Sequence, residues 1–144
     1  MGAPTVGTRG VSPPAGSIAM ARVLALTGDL LFGSRVQGAL TLAGHDVELI
    51  DDATRLRERL AGSTDPTLPE AELLVVDLTD AELDGAGVVE SLKLAGELGS
   101  TPTLGFYSHV DAAARERAER AGFDLVVARS RMAREGPLLV AGLL

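Results

Sequence analysis

Reactive side chains follow short apolar runs at four places in the sequence. They are Thr27-Gly28-Asp29, Asp77, Tyr107-Ser108-His109 and Arg129-Ser130. Asp77 ends an apolar run, where a carboxylate costs free energy unless it has a partner or faces a crevice. A second interpretation is that Asp77 only caps the loop that follows, and the spacing favours neither.

Residues 28–35 have the glycine spacing of a phosphate-binding P-loop but lack its chemistry. Gly28 and Gly33 have the required separation after the first apolar run. A P-loop then needs a lysine for the phosphates and a Ser or Thr for magnesium. Ser34 and Arg35 occupy those two places, so the segment does not predict nucleotide hydrolysis.

The composition removes several further kinds of site. The 144 residues include no cysteine, which excludes disulfides, thiolate zinc sites and cysteine nucleophiles. The two histidines, His45 and His109, are too far apart to form a helical metal pair. Both stand at predicted turns, so we expect them to be solvated loop histidines.

The charge balance and the aromatic content argue against nucleic acid as a partner. A net charge of -7 repels a phosphate backbone, and one tyrosine with three phenylalanines offers few surfaces for base stacking. No apolar run approaches the roughly 20 residues that a membrane-spanning helix needs. No secretory signal is recognisable either, so we expect a cytoplasmic protein that does not bind membranes.

Five short apolar runs predict five β-strands. They cover residues 23–26, 47–50, 73–76, 103–106 and 125–128. Four of the runs are nearly continuous in apolar residues, which is typical of parallel strands covered on both faces. The run at 47–50 alternates polar and apolar residues, which favours an edge strand.

The spacers between these runs have the period of amphipathic helices. The predicted helices cover residues 29–43, 54–61, 88–98, 112–121 and 138–144, with a long loop at 62–69. Gly44 ends the first helix, Asp111 caps the fourth and Pro137 begins the last. Strict alternation with right-handed crossovers predicts an α/β fold, a doubly wound five-stranded parallel sheet between two layers of helices.

The first twenty residues form a separate region of the chain. They contain many Gly, Pro, Ser and Thr residues without an apolar period, which predicts a flexible leader at 1–20 and a folded domain at 21–144. Met20 is a candidate for the true start, and the chain either acts alone or is a fragment of a longer protein.

The predicted topology brings the reactive side chains together. In a flavodoxin-like sheet of order 2-1-3-4-5, ligands bind at the carboxyl ends of strands one and three, where the winding reverses. Thr27, Gly28 and Asp29 follow strand one, and Asp77 ends strand three. We therefore expect these residues to line one crevice, with the residues after strands four and five nearby.

Residues 22–144 resemble the receiver domain of bacterial two-component response regulators. In that family strand three ends in a phosphoacceptor aspartate, and a glycine eight residues later opens the third helix. Asp77 and Gly85 reproduce this spacing, with Asp84 directly before the glycine. Pro102 before strand four and residues 121–124 before strand five also match.

The departures from the family pattern fall on its functional positions. The resemblance places the family's paired magnesium-binding acids at Thr27 and Gly28, which leaves Asp29 as the nearest acid. Arg129 stands for the family's lysine after strand five, and Ser130 for the proline that follows. The Ser/Thr switch position falls on Tyr107, with Ser108 beside it.

These departures predict a degenerate receiver, or pseudo-receiver, that is not an enzyme. In this hypothesis Arg129 pairs with Asp77, replaces both metal and phosphate, and leaves signalling to contact with a protein partner such as a kinase or an output protein. An alternative is an ordinary phosphorelay receiver phosphorylated on Asp77, with Mg²⁺ held weakly by Asp29 and Asp77. A second alternative is a small-molecule binder that uses the same crevice. We expect no cofactor unless the phosphoacceptor alternative holds.

Arginines cluster late in the sequence, around the predicted fourth and fifth helices. The residue types predict an interaction face that could support a homodimer, formed by Arg115, Arg117, Arg120, Arg131 and Arg134. The alternative is a solvated helix surface with pairs such as Glu116 and Arg120, each contributing only about 0.3 to 0.5 kcal/mol.

Overall fold

The structure is a computed structural model that describes residues 21–61 and 70–144. The predicted leader, the candidate start at Met20 and the predicted loop at 62–69 lie outside the described residues. Strands and helices alternate as β1 Arg22–Leu26, α1 Leu30–Leu42, β2 Asp46–Ile50, α2 Ala53–Leu60, β3 Leu73–Asp77, α3 Gly85–Leu94, β4 Thr103–Tyr107, α4 Ala112–Ala121, β5 Leu125–Ala128 and α5 Arg129–Leu143. None of the helices in these ranges combines the length and the apolar character that crossing a membrane requires.

The five strands form one parallel sheet in the order β2-β1-β3-β4-β5. The predicted fold class and strand order are therefore confirmed, with β2 as an edge strand. Leu26 pairs with Val76, and Asp77 pairs with Phe106. This register brings the carboxyl ends of β1, β3 and β4 to the same edge of the sheet.

Alternating residues of the central strands supply two separate cores. Val23 and Val75 belong to the core that α1 and α5 cover, whereas Leu24 and Leu74 belong to the core under α2, α3 and α4. Successive side chains of a strand point to opposite faces, so a strand covered on both faces must be apolar at every position. This requirement explains the continuous apolar runs and produces three layers.

Aspartates begin four of the five helices. Their carboxylates accept hydrogen bonds from backbone N–H groups of the first turn, and they are Asp29, Asp52, Asp84 and Asp111. Asp111 was the predicted cap, and α4 has the predicted bounds. Gly44 follows α1 with a φ of 98°, a left-handed conformation that glycine adopts without strain.

The last helix is much longer than predicted, and the prediction that Pro137 begins it is wrong. Helix α5 starts at Arg129 and contains Pro137 in its interior. Proline removes one backbone donor there, which is unfavourable. The loss is offset because a continuous face of α5, including Met132, Leu139 and Val140, is buried in the core.

One of the two histidine predictions is also wrong. His109 is exposed, as expected, but His45 is only 4% exposed and its Nδ1 has no hydrogen-bond partner among the described residues. His45 lies between α1 and β2, and its backbone N–H donates to the Leu40 carbonyl at 3.0 Å. The chain reverses tightly at this turn, which places the ring inside the protein.

Candidate functional site

Asp77 lies at the carboxyl end of β3 and is almost completely buried, with 1% of its surface exposed. Its Oδ2 accepts a hydrogen bond from Thr27 Oγ1 at 2.7 Å. Its Oδ1 accepts two from Thr79, one from the backbone N–H at 2.8 Å and one from the hydroxyl at 2.6 Å. Two neutral threonines therefore hold both oxygens of this carboxylate.

Thr27 connects Asp77 to the start of α1. While its hydroxyl donates to Asp77, the same oxygen accepts a hydrogen bond from the Asp29 backbone N–H at 3.0 Å. Thr27 is itself buried. The position where the family resemblance expects an acidic metal ligand thus holds a hydroxyl that satisfies two buried polar groups.

The carboxylate of Asp80 lies next to Gly28, the neighbouring position. A Cβ atom added to Gly28 would lie 2.7 Å from Asp80 Oδ2. Asp80 Oδ1 accepts hydrogen bonds from the backbone N–H groups of Glu82 and Leu83 at 3.0 and 3.3 Å. The β3–α3 loop thus brings a carboxylate into the space that a side chain at residue 28 would fill.

Asp29 lies beside this network and has different partners. Its Oδ1 caps α1 by accepting from the Phe32 N–H at 3.0 Å, and its Oδ2 accepts from an Arg129 Nη2 donor at 3.0 Å. These contacts, chiefly the Phe32 N–H and then the Arg129 charge, lower the pKa of the Asp29 carboxyl below its ordinary value. Asp29 is therefore an ionised helix cap.

The predicted pair between Arg129 and Asp77 is wrong, since Arg129 pairs with Asp29. Arg129 opens α5, which packs against α1, and its guanidinium lies over the Phe32 ring with Cζ 4.3 Å from the centroid. Phe32 in turn contacts Phe106 in the core. Pairing with Asp77 would require full desolvation of the guanidinium, whereas Asp29 lies at the surface and adds a charged acceptor.

Acid should weaken this part of the fold through Asp29. Because its folded-state pKa is lowered, the stability it contributes is present above its unfolded pKa of about 3.9 and is lost as pH falls through the folded pKa. We expect Asp29→Asn, which keeps a cap acceptor, to show a smaller fall in urea midpoint below about pH 4 than the wild type.

The matched control for this pH series is Asp51→Asn, which removes an exposed carboxylate before α2 whose ion pair with Arg55, at 3.6 Å, is open to solvent. It should keep the wild-type dependence of the urea midpoint on pH. If Asp29→Asn also keeps the wild-type dependence, the ionised cap contributes nothing to the acid response.

The remaining predicted crevice residues lie where β4 and β5 end. Tyr107 and Ser108 at the end of β4 are half-buried. Ser108, Arg129 and Ser130 line a cleft of about 370 Å³, together with Thr79 from the β3–α3 loop. Asp77 is not among the residues that line this cleft.

The carboxylates in this region do not fit an octahedral Mg²⁺ site. Both oxygens of Asp77 and both of Asp29 are occupied by the donors described above, and Asp80 has one oxygen without a partner among residues 21–61 and 70–144. Mg²⁺ requires an open set of oxygen ligands and usually one or two free carboxylates. Within the described ranges no group of three His, Cys, Asp or Glu residues is placed to hold a metal.

The arginines of the predicted interaction face are all exposed on α4 and α5. Arg117 forms two hydrogen bonds with Asp84 at the start of α3. That contact lowers the pKa of the Asp84 carboxyl and raises the pKa of Arg117. The other ion pairs of this face lie within single helices: Arg115 with Glu119, Arg131 with Glu135 and Arg134 with Glu135. A homodimer through this face stays a prediction.

Three residues of the site were not identified from the sequence. Thr79 has a local signal, because a Thr two residues after an Asp often donates to that carboxylate in a turn. Asp80 and Arg35 have no such signal. The position of Asp80 depends on the course of a loop, and that of Arg35 on a cleft that α1 forms with three distant segments of the chain.

The structure is similar to solved receiver domains. It superimposes on the chemotaxis response regulator CheY4 of Vibrio cholerae with a TM-score of 0.71 and 16% identity, over 88% of this chain and all of that one. The receiver domain of the TMAO respiratory response regulator TorR gives 0.71 and 17%, over 85% of this chain and 95% of the other. The phosphorylated cyanobacterial phytochrome response regulator RcpA gives 0.68 and 16%, over 87% and 91%.

The fold is therefore the flavodoxin-like fold of response-regulator receivers. No protein-family model matches the sequence, and no curated protein matches it either.

Proposed function

We propose that the chain is a cytoplasmic receiver-like signalling module that acts through protein contact, without Mg²⁺-dependent phosphorylation of Asp77. One observation carries the proposal: the Asp77 carboxylate is 1% exposed, and both of its oxygens accept hydrogen bonds from Thr27 and Thr79. The receiver fold and the buried, hydrogen-bonded Asp77 together support a module that has the fold of a receiver without aspartyl phosphorylation.

Aspartyl phosphorylation requires a carboxylate oxygen that can reach the donor phosphorus. At Asp77 this attack would break the hydrogen bond from Thr27 or those from Thr79, at a position with almost no access to solvent. Each charge-assisted hydrogen bond of this kind contributes about 1.5 to 3 kcal/mol. Phosphorylation of Asp77 would therefore start from a hydrogen-bonded state of low free energy, which raises the barrier to the reaction.

The charges near Asp77 also oppose a phosphoryl group. It would add a charge of about -1.5 to -2 beside Asp80 and Asp29. Arg129 is bound to Asp29 at 3.0 Å, so its charge already balances one carboxylate. Without an open metal site, a phosphoryl group on Asp77 would bring its negative charge without a cation of its own.

Contact with a partner remains as the route for a signal. The exposed arginines of α4 and α5 offer a surface for a kinase or an output protein whose contact residues are acidic. In this proposal the module is not an enzyme and needs no cofactor.

Intact-protein mass spectrometry tests the proposal. The protein is incubated with Mg²⁺ and acetyl phosphate, beside the Asp77→Asn variant as the matched control. We expect no added phosphoryl mass on either protein. An added phosphoryl mass on the wild type that is absent from Asp77→Asn would overturn the proposal and establish the phosphoacceptor alternative.

A further inference from the structure

A cleft beside the phosphoacceptor position has a chemical character opposite to that of the whole chain. It is about 370 Å³ in volume and is formed by α1, the β3–α3 loop, the β4–α4 loop and the start of α5. The chain carries a net charge of -7, yet none of the residues that line this cleft is acidic. We call it the arginine cleft, after Arg35 and Arg129.

The two arginines supply the positive charge of the cleft. Arg35 is exposed, and no carboxylate of the described residues lies within 4 Å of its guanidinium. Arg129 gives one nitrogen to Asp29 and rests on the Phe32 ring. A guanidinium carries five N–H donors, so this arrangement fixes Arg129 in place and leaves donors for a further acceptor.

Neutral donors complete the lining. Ser108 and Ser130 carry hydroxyls and His109 carries an imidazole, whereas the hydroxyl of Thr79 donates to Asp77. Ser130 belongs to the first turn of α5, and this helix, unlike α1 to α4, has no side-chain cap. The partial positive charge at that end of α5 therefore adds to the field of the arginines.

The donor set identifies the ligand class. Arginine forks and hydroxyls recognise the oxygens of a phosphate group, which accept several charge-assisted hydrogen bonds at once. The volume lies at the lower end of the range for small-molecule sites, about 300 to 1,000 Å³. Arg129 already covers the Phe32 ring, so that ring is not available to stack on a nucleobase.

We propose that the arginine cleft binds the phosphate group of a small phosphorylated metabolite, without a covalent bond to the protein. This inference rests on the proposed function in one respect: binding in the cleft would replace aspartyl phosphorylation as the input that the module reports to its partner. The contacts proposed for the phosphate do not include Asp77, which does not line the cleft.

A ¹H–¹⁵N NMR titration tests the site directly. Inorganic phosphate and glycerol 3-phosphate are added separately at constant ionic strength, with sodium chloride as the reference. We expect saturable shifts of the Thr79, Ser108 and Ser130 amides, with a Kd of about 1 mM or below for glycerol 3-phosphate. Tighter binding of glycerol 3-phosphate than of inorganic phosphate would support an organic ligand. Equal or weaker binding would overturn that part of the proposal.

Two arginine variants provide the matched comparison. Arg35→Gln should weaken binding by about tenfold or more, because it removes one charged phosphate contact. Arg134→Gln removes an exposed arginine of α5 that does not line the cleft, and it should change the Kd by less than about twofold. Equal effects of the two variants would show non-specific attraction and overturn the proposal, as would shifts that do not saturate.

The Asp77→Asn variant separates this proposal from the proposed function. We expect it to bind glycerol 3-phosphate with the wild-type Kd, and neither protein should gain mass during the titration. Loss of binding in Asp77→Asn, with its fold intact by circular dichroism, would overturn the independence of the cleft. Acetyl phosphate that adds mass to Asp77 would overturn only the proposed function.

Discussion

Replacing Thr27 by valine should lower the free energy of unfolding by about 2 to 3 kcal/mol. Valine has nearly the shape of threonine, so the change mainly removes the hydroxyl that donates to Asp77 and accepts from the Asp29 N–H. Asp77 would remain buried with Oδ2 unpaired, and a buried acceptor without a partner loses its full solvation. Urea unfolding at neutral pH measures the loss.

Thr27→Ser is the control for that measurement, because serine keeps the hydroxyl and removes only a methyl group. We expect it to lose about 1 kcal/mol, clearly less than Thr27→Val. Equal losses in the two variants would mean that packing, and not the hydrogen bond to Asp77, accounts for the stability that Thr27 provides.

Gly85→Ala should destabilise the protein by about 2 to 3 kcal/mol. A Cβ atom at this position would lie 2.5 Å from Val76 Cγ1 and 3.0 Å from the Asp77 carbonyl oxygen. The backbone cannot yield as a flexible side chain would, so α3 must move away from the end of β3. The absence of a side chain at Gly85 thus lets α3 begin against the strand that carries Asp77.

Gly38→Ala provides a control of opposite sign. Gly38 lies inside α1, and a Cβ atom there would meet nothing within 4 Å. Alanine in a helix interior is favoured over glycine by about 0.5 to 1 kcal/mol, so this variant should be more stable than the wild type. A loss of stability in Gly38→Ala, or none in Gly85→Ala, would contradict the packing described here.

The sheet could be predicted from the sequence because two physical patterns agree. Strands covered on both faces need apolar residues at every position, and the spacers carry the helical period. The edge strand β2 differs in the expected way, because Asp46 and Glu48 interrupt its apolar residues. The predicted start of helix α5 is too late because it treats Pro137 as the first residue, whereas the buried face of the helix outweighs the cost of an interior proline.

The side-chain contacts of the site could not be predicted in the same way. Sequence position places Arg129 and Asp77 at the same edge of the sheet but does not fix the direction of a long side chain. Phe32 and Asp29 hold the guanidinium on α1, and this depends on the packing of α5 against α1. The hydroxyls of Thr27 and Thr79 satisfy the Asp77 carboxylate without the desolvation that a buried guanidinium would require.

The partners of Asp77 therefore differ from those in the degenerate receiver predicted from the sequence. The hypothesis from the sequence placed a cation permanently beside Asp77. In the structure neutral hydroxyls satisfy the carboxylate, and the arginine lies at the adjacent cleft. In the second arrangement Arg129 is not paired with Asp77. Under our proposal, its remaining donors bind a phosphate that does not react with the protein.

We infer that Thr27 and Thr79 occupy both oxygens of the Asp77 carboxylate, so that no divalent cation binds there. A ¹H–¹⁵N NMR titration with millimolar MgCl₂ tests this inference, with NaCl of equal ionic strength as the reference. We predict that the amides of Leu78 and Thr79 keep their chemical shifts throughout. A saturable shift of the Thr79 amide that disappears in Asp77→Asn would contradict the claim.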